Sequence, residues 1–152
     1  MPAVILRFGS FYSYDSAHTR AIFDLTRKGF FPVIGAGTAY WNNLNVDDAA
    51  LAVFKTIERY LDGIGQTFNV CDDEPATYRA IADYIAQRLG ARKPMSLPPI
   101  LAKLMLGAPT FNSLTTSSRC RNQLIKDQLG WQPAYPTYRE GYKAEIEKWL
   151  RG

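Results

Sequence analysis

The sequence predicts an α/β fold, since short apolar segments that favour strands alternate with longer segments of helical periodicity. Residues 3–6 form a continuous run of apolar side chains, which is typical of a parallel strand buried on both faces. Glycines follow several of the helical segments, where they end helices. The length of 152 residues suits a single domain, 1–152. We therefore expect a domain in which helices pack on a parallel sheet.

Gly9 and Ser10 follow the first predicted strand. Ligands of open α/β sheets bind beyond the carboxyl ends of the strands, and these two residues stand at that position. Gly9 lets a ligand approach the backbone, and Ser10 offers a hydroxyl. The residues alone equally allow a plain strand-to-helix loop.

The first helix is predicted over residues 17–28, with Ser16 as its N-cap and Gly29 as its stop. A strand over residues 31–34 follows it. Gly35 and Gly37 then predict a tight turn, because glycine adopts backbone angles that other residues resist.

The second helix is predicted to begin at a doubled aspartate. Asp47 or Asp48 can accept hydrogen bonds from the N–H groups of the first helical turn. Apolar residues then recur at helical spacing and predict one buried face. The residues of this face are Ala49, Ala50, Val53, Phe54, Ile57 and Leu61.

A strand over residues 66–70 leads into an acidic segment that contains Asp72, Asp73 and Glu74. Three carboxylates can suggest a metal site, but adjacent side chains point in different directions. Helix capping and solvation explain these residues better, so no metal site is predicted.

Helices are predicted to dominate the rest of the chain. Thr77 opens one of them, and its apolar stripe consists of Tyr78, Ile81, Ala82, Ile85 and Leu89. Residues 100–106 form a short apolar helix. Residues 107–117 are predicted as a loop, which either closes over a pocket or lies on the surface.

Two more helices are predicted over residues 123–128 and 138–150. Gly130 and the residues after it end the former. The inward side chains of the latter are predicted to be Tyr142, Ile146, Trp149 and Leu150.

The composition limits the classes of function. Hydrophobic residues make up 47% of the chain and charged residues 21%, which is typical of a globular protein. The net charge of +4 is scattered, so nucleic-acid binding is disfavoured. Cys71 and Cys120 lie far apart and His18 is the single histidine, which argues against a disulfide framework or a zinc site. Without a leader-like start or a membrane-spanning run, we expect a cytoplasmic protein.

Five motifs, in the same order, resemble the second half of the extended short-chain dehydrogenases/reductases, the NAD-dependent epimerase/dehydratase family. They lie at residues 6–12, 35–50, 68–75, 122–133 and 138–142. Each motif is short, but their shared order over nearly the whole chain makes the match specific. The resemblance implies a partial Rossmann-type parallel sheet with a mainly helical substrate-binding lobe.

The resemblance covers only the C-terminal, substrate-side half of the family. The first half carries a Gly-x-x-Gly-x-x-Gly loop that cradles the dinucleotide and a Tyr-x-x-x-Lys acid/base pair. Neither occurs in this sequence, so no catalytic residue is predicted and the N-terminal dinucleotide-binding half is expected to be absent. NAD or NADP is implied for a complete family member, and none is expected to bind this chain alone.

By resemblance, Gly9, Ser10 and Phe11 lie near the nicotinamide side of the cofactor. Ser10 also faces the substrate, together with Trp41 and Asn42. Each of these residues has a structural alternative, such as packing in the core.

Two arginines are further candidates by resemblance, since Arg119 or Arg121 would contact an anionic group of the substrate. Trp41 stands where the family's sugar-nucleotide epimerases usually have an arginine for nucleotide phosphates. An indole cannot replace that planar charged fork, so a nucleotide-diphosphate sugar is a doubtful substrate.

Three hypotheses of function follow. The first is the substrate-binding portion of an NAD(P)-dependent epimerase, dehydratase or oxidoreductase-like protein, inactive alone, with its Rossmann half either lost or carried by a separate chain. The alternative is a stand-alone non-catalytic binding protein that forms a homodimer through an exposed sheet and apolar face. The third, a nucleic-acid binder, depends only on the net charge and a few exposed aromatic residues. A small-molecule substrate is expected, and neither nucleic acid nor membrane.

Overall fold

The structure is a computed structural model that describes residues 2–152. Its helices are α1 (Ala17–Arg27), α2 (Val46–Glu58), α3 (Tyr60–Gly63), α4 (Tyr78–Arg88), α5 (Pro99–Leu106), α6 (Ala108–Thr115), α7 (Gln123–Leu129) and α8 (Tyr138–Arg151). Its strands are β1 (Ile5–Phe8), β2 (Ser10–Tyr12), β3 (Val33–Ile34), β4 (Tyr40–Trp41), β5 (Asn43–Asn45), β6 (Thr67–Val70), β7 (Ala76–Thr77) and β8 (Ser96–Leu97).

The predicted parallel sheet is present as pairs of short strands. β1 pairs in parallel with β6, β2 with β5, and β3 with β8, while β4 and β7 are antiparallel. The path from β1 to β6 includes α2, as a parallel pair requires a crossover. These features confirm the α/β class and the partial Rossmann-type sheet with a mainly helical remainder.

Gly9 is the point at which the chain changes strand partners. Its N–H donates to the Val70 carbonyl (2.8 Å), and the Ser10 N–H donates to the Asn42 carbonyl (2.7 Å). A Cβ atom on Gly9 would lie 2.5 Å from the Asn42 oxygen, so only glycine allows the two backbones to pass this closely. This crossing brings the ends of β1 and β6 beside residues 40–42.

Three apolar cores hold the elements together, and the smallest contains Val33, Tyr78 and Ala82. The first lies among α1, α4 and α8 and contains Tyr12, Phe23, Ile81, Ile85, Tyr142 and Ile146. The second lies among α2, β6 and α7 and contains Leu44, Ala52, Phe68, Ile125, Leu129 and Trp131.

Several local predictions are confirmed. The Ser16 side chain accepts from the Thr19 N–H at the start of α1, and the Thr77 side chain accepts from the Ala80 N–H at the start of α4. Gly35 and Gly37 have φ angles of 55° and 66°, in the left-handed region that favours glycine. In the part of the chain that the structure describes, no helix has the length and apolar character needed to cross a membrane.

The predicted start of α2 is wrong. The helix begins at Val46, and its cap is Asn45, whose Oδ1 accepts from the Asp47 N–H at 2.8 Å. Asp48 is buried, and its carboxylate accepts from the N–H groups of Ala134 (2.6 Å) and Tyr135 (3.1 Å). Asp48 therefore ties α2 to the segment after α7.

The predicted buried face of α2 is also wrong for most of its members. Ala49 is buried, but Ile57 is 71% exposed and Leu61 is 82% exposed, and Val53 and Phe54 are exposed as well. The side of α2 that packs inward carries Asp48, Ala49, Ala52 and Thr56. Small side chains on that side let the helix lie close to the strands, so the large ones face outward.

The first strand is not buried on both faces as predicted. Ile5 is 53% exposed and Phe8 is also exposed. Among residues 2–152, β6 is the only strand hydrogen-bonded to β1, so the other edge of β1 is open.

Two further corrections concern the C-terminal part. Residues 107–117, predicted as a loop, contain the helix α6, which has a proline in its first turn, where the missing N–H costs no helical hydrogen bond. Leu150, predicted to point inward, is 58% exposed, whereas Trp149 packs edge-on against Phe23.

Candidate functional site

Two adjoining clefts lie at the carboxyl ends of β1 and β6. The aromatic cleft, of about 500 Å³, includes Gly9, Ser10, Tyr40, Trp41 and Asn42. The basic cleft, of about 730 Å³, is lined by residues from two segments: Asp72, Asp73, Pro75, Arg119, Cys120, Arg121, Asn122, Gln123 and Lys126. Cys120 contributes to both, so residues 118–122, the dividing segment, separate the two clefts.

Asn42 holds the dividing segment in place. Its Nδ2 donates to the Ser118 hydroxyl at 2.5 Å, and its Oδ1 accepts from the Cys120 N–H at 2.8 Å. The amide is thus engaged on both sides by the protein. In this structure Asn42 lines the cleft and positions its wall.

The aromatic cleft has flat walls. Trp41 is half-buried and packs against Tyr78 with ring centroids 4.8 Å apart. The guanidinium carbon of Arg119 lies 3.5 Å from the centre of the Tyr40 ring, an attractive cation–π contact. Arg119 therefore brings positive charge from the basic cleft to the rim of the aromatic one.

The three residues that were predicted to lie near the cofactor do not all line the same cleft. Gly9 and Ser10 line the aromatic cleft, but Phe11 lines neither cleft. Phe11 is exposed and packs against Phe8, with ring centroids 5.4 Å apart. The alternation of side chains along β2 turns it away from its neighbour Ser10.

Arg119 and Arg121 line the basic cleft as exposed residues. Neither forms an ion pair within residues 2–152. By contrast, Lys126 is neutralised by Asp73, with Nζ–oxygen distances of 2.6 and 2.7 Å. The unpaired positive charge of the cleft thus belongs to the two arginines.

The three acidic residues after β6 have different surroundings. Asp73 pairs with Lys126, and Glu74 pairs with Arg139 at 2.6 Å. Asp72, predicted to be solvated or capping, is buried instead. Its burial raises the pKa of its carboxyl from 3.8 to about 8.

Little hydrogen bonding offsets the cost of burying the Asp72 carboxyl group. The Glu74 N–H lowers the pKa in part, without a well-aligned hydrogen bond to either carboxyl oxygen. Two nearby buried groups, the Tyr12 hydroxyl and the Asn43 amide nitrogen, also have no hydrogen-bond partner among residues 2–152. The periodicity of the sequence contained no signal of this buried polar group.

The two cysteines, separated in sequence, meet at the dividing segment. Cys71 follows β6 directly and is buried, Cys120 is half-buried, and the Cys120 side chain is close enough to contribute to the raised pKa of the Cys71 thiol. Asn122 joins the same region, because its Nδ2 donates to the Cys71 carbonyl at 2.8 Å. Sequence spacing did not predict this proximity.

The turn at Gly35 and Gly37 differs from the glycine-rich turns that cradle dinucleotides. Gly35 and Gly37 lead into β4 and not into a helix N-terminus, and the Gly37 carbonyl accepts from the Arg79 N–H at 3.0 Å. A Cβ on Gly37 would contact Val33 and Arg79, so protein packs against Gly37, while a smaller cleft of about 200 Å³ is lined by Gly35 and its neighbours. Within residues 2–152 there is also no group of three side chains suited to hold a metal ion.

Comparison with known proteins gives relatives of about twice this length. No family model matches the sequence. The 3-diazoavenalumate denitrifying reductase of a Streptomyces species is 33% identical over 149 residues, which cover 95% of this chain and 47% of that protein.

Solved structures show the same relation. The human epimerase family protein SDR39U1 (isoform 2), crystallised with NADPH, superposes with a TM-score of 0.85 at 19% identity over 95% of this chain and 48% of its own. The UDP-glucose 4-epimerase of Thermotoga maritima, with UDP-glucose, gives a TM-score of 0.76 at 18% identity over 99% of this chain and 46% of its own. The chain thus spans about half the length of these proteins and has the fold of the part that it matches. This agreement confirms the resemblance to the NAD-dependent epimerase/dehydratase family that was inferred from the sequence.

Proposed function

We propose that this chain is the C-terminal, substrate-side half of an NAD(P)-dependent reductase built like the NAD-dependent epimerase/dehydratase proteins. The observation that carries the proposal is the 33% identity to the Streptomyces reductase over nearly the whole chain. The position of both clefts supports it, because ligands of parallel α/β sheets bind at the carboxyl ends of the strands.

In this proposal residues 2–152 bind and orient the substrate. The turn at Gly35 and Gly37 leads into β4 and not into a helix N-terminus, so we assign the dinucleotide and the acid/base pair to a complementary half. That half would be supplied by further polypeptide, either joined to this chain or separate from it. Gly9 and Ser10 would then face the reacting end of the cofactor.

We assign the aromatic cleft to a flat, conjugated small molecule that carries an anionic group. The rings of Tyr40 and Trp41 can stack on such a molecule. Arg119, stacked on Tyr40 and free of an acidic partner, supplies the charge for a carboxylate. A nucleotide-diphosphate sugar fits less well. Trp41 stands where the sugar-nucleotide epimerases usually have an arginine, and an indole cannot bind the nucleotide phosphates as a guanidinium does.

Tryptophan fluorescence tests this assignment. Trp41 lines the cleft, whereas Trp131 is fully buried and Trp149 packs against Phe23. We expect 4-hydroxycinnamate to quench the emission saturably and UDP-glucose to leave it unchanged. Trp41→Phe should abolish the response, and Arg119→Gln should weaken binding roughly 10-fold, a loss of about 1.4 kcal/mol.

The matched control is Arg20→Gln, which removes an equally charged, exposed side chain on α1. It should bind 4-hydroxycinnamate as the unaltered chain does. Preferential binding of UDP-glucose, or an affinity indifferent to Arg119, would contradict the substrate class. Saturable binding of NADPH to the chain alone would contradict the division into two halves.

The second candidate function is a non-catalytic binding protein that forms a homodimer. The observation in its favour is the exposed apolar surface of α2 and its neighbours, defined here as the α2 face: Val53, Phe54, Ile57 and Leu61. Surfaces of this kind mark sites of association. In the first proposal the complementary half would cover the same face, whereas in this one a second copy of the chain would cover it.

A further inference from the structure

We infer that Cys71 and Cys120 form a reversible disulfide that locks the dividing segment to the end of β6. This inference is independent of the proposed function, because it concerns the two thiols and the backbone that holds them. It assigns an oxidation site at the wall shared by both clefts.

Three contacts place the two cysteines together independently of their side chains. The Cys120 N–H is bound by the Asn42 side chain at 2.8 Å. Asn122, two residues later, donates to the Cys71 carbonyl at 2.8 Å. The backbone of Gly9 lies close to both segments, since a Cβ added to it would be 2.5 Å from the Asn42 carbonyl oxygen and 3.4 Å from the Cys71 Cβ. The backbones on both sides are therefore fixed at short range before any S–S bond forms.

The two thiols are neighbours, because the Cys120 side chain contributes to the raised pKa of the Cys71 thiol. Their exposure differs: Cys120 is half-buried and lines both clefts, while Cys71 is 1% exposed. A soluble oxidant therefore reaches Cys120 first, and Cys71 is the resolving thiol.

The reaction balances with hydrogen peroxide as the oxidant. Peroxide oxidises the Cys120 thiol to a sulfenic acid and releases one water. The Cys71 sulfur then attacks the Cys120 sulfur, the S–O bond breaks, and the hydroxyl leaves as a second water with the Cys71 proton. Two thiols are oxidised to one disulfide, and one peroxide is reduced to two waters.

The rate of the second step should depend on pH. Burial and the neighbouring carboxylates raise the pKa of the Cys71 thiol to about 12. The reactive thiolate is therefore scarce at neutral pH, and its fraction rises about tenfold for each pH unit below that pKa. We expect cross-linking after sulfenic acid formation to accelerate by about 100-fold between pH 7 and pH 9, which is about tenfold for each of the two pH units.

The test treats the 152-residue chain with equimolar hydrogen peroxide and maps its peptides without reduction. Because the sequence contains two cysteines, an intramolecular disulfide can join only this pair. We expect a peptide that links Cys71 to Cys120, an intact mass lower by two hydrogen atoms, and reversal by dithiothreitol. The oxidised chain should also melt at a temperature higher by about 3 °C or more.

Single-cysteine variants separate this mechanism from nonspecific oxidation. Cys71→Ala should accumulate sulfenic acid at Cys120, trapped by dimedone, and Cys120→Ser should leave Cys71 unmodified. Disulfides found only between chains, or Cys120 sulfinic acid formed while Cys71 stays reduced, would overturn the inference. Both variants can be checked for folding by circular dichroism before oxidation, and Cys71→Ser replaces Cys71→Ala if the latter is unfolded.

Discussion

Asp72 shows how a single residue can set the pH response of this fold. Its carboxyl is buried next to Tyr12 and Tyr142, and the negative charges of Asp73, Glu74 and Asp48 face it. Desolvation is the largest contribution to its raised pKa, and these charges add to it. The folded protein therefore holds a proton on Asp72 that the unfolded chain releases at neutral pH.

The sign of the pH effect follows from this difference. The pKa of Asp72 is about 8 in the folded state against an ordinary value of 3.8, so its contribution to stability is full below about pH 4 and is lost as the pH rises through 8. Asp72→Asn keeps a neutral group at every pH. We expect its free energy of unfolding, relative to the unaltered chain, to rise by a few kcal/mol between pH 4 and pH 8.

Urea titrations at pH 4, 6 and 8 measure this difference. Asp62→Asn on α3, an exposed position, is the control and should follow the profile of the unaltered chain. If the free energies of unfolding of Asp72→Asn and the unaltered chain differ by the same amount at pH 4, 6 and 8, Asp72 does not carry a raised pKa in the folded state.

At the scale of elements, the contact between α2 and the segment after α7 depends on one carboxylate. Asp48 accepts from two backbone N–H groups of that segment, and the Trp131 indole N–H donates to the Asp48 carbonyl at 3.1 Å. The two motifs that lie far apart in the sequence, around Asp48 and Trp131, thus form one structural unit.

Removing this carboxylate should release the segment. In Asp48→Ala the N–H groups of Ala134 and Tyr135 lose their acceptor, which costs roughly 2–4 kcal/mol of unfolding free energy. Asp47→Ala is a matched control on the same helical turn, since its side chain is exposed and lies 3.7 Å from Lys148. We expect a change within about 0.5 kcal/mol there. Equal losses in the two variants, measured by urea unfolding, would contradict this role of Asp48.

At the scale of the whole molecule, apolar surface remains uncovered. The α2 face lies on α2 and α3, between β5 and β6, and the open edge of β1 adds exposed Ile5 and Phe8. Unpaired strand edges and apolar patches favour association. The molecule therefore has the surface for either a homodimer or a complementary half.

We expect the chain alone to associate in a concentration-dependent way through the α2 face. Ile57→Glu combined with Leu61→Lys should shift the mass measured by light scattering toward that of the monomer, because it places charges on the buried part of the interface. The control is Leu104→Glu on α5, which is as exposed as Leu61, at 82% each. A mass changed only by Leu104→Glu would place the interface on α5.

The sequence alone determined the α/β class, most helix positions and the motif order that matches half of a longer fold. These features depend on local signals: side-chain periodicity, caps such as Ser16 and Thr77, and glycines at Gly35 and Gly37. It also selected Gly9, Ser10, Trp41 and Asn42, which the structure brings to one cleft.

Only the tertiary structure decided which side of α2 is buried, that Asp48 and Asp72 are inside, and that Cys71 meets Cys120. Periodicity shows that a helix has an apolar face, but burial depends on what packs against it. In α2 the close approach to the strands favoured small residues on the inner side. Contacts between residues that are distant in the chain depend on where two backbone segments pass each other. Here the backbone at Gly9 passes close to Asn42 because glycine has no side chain.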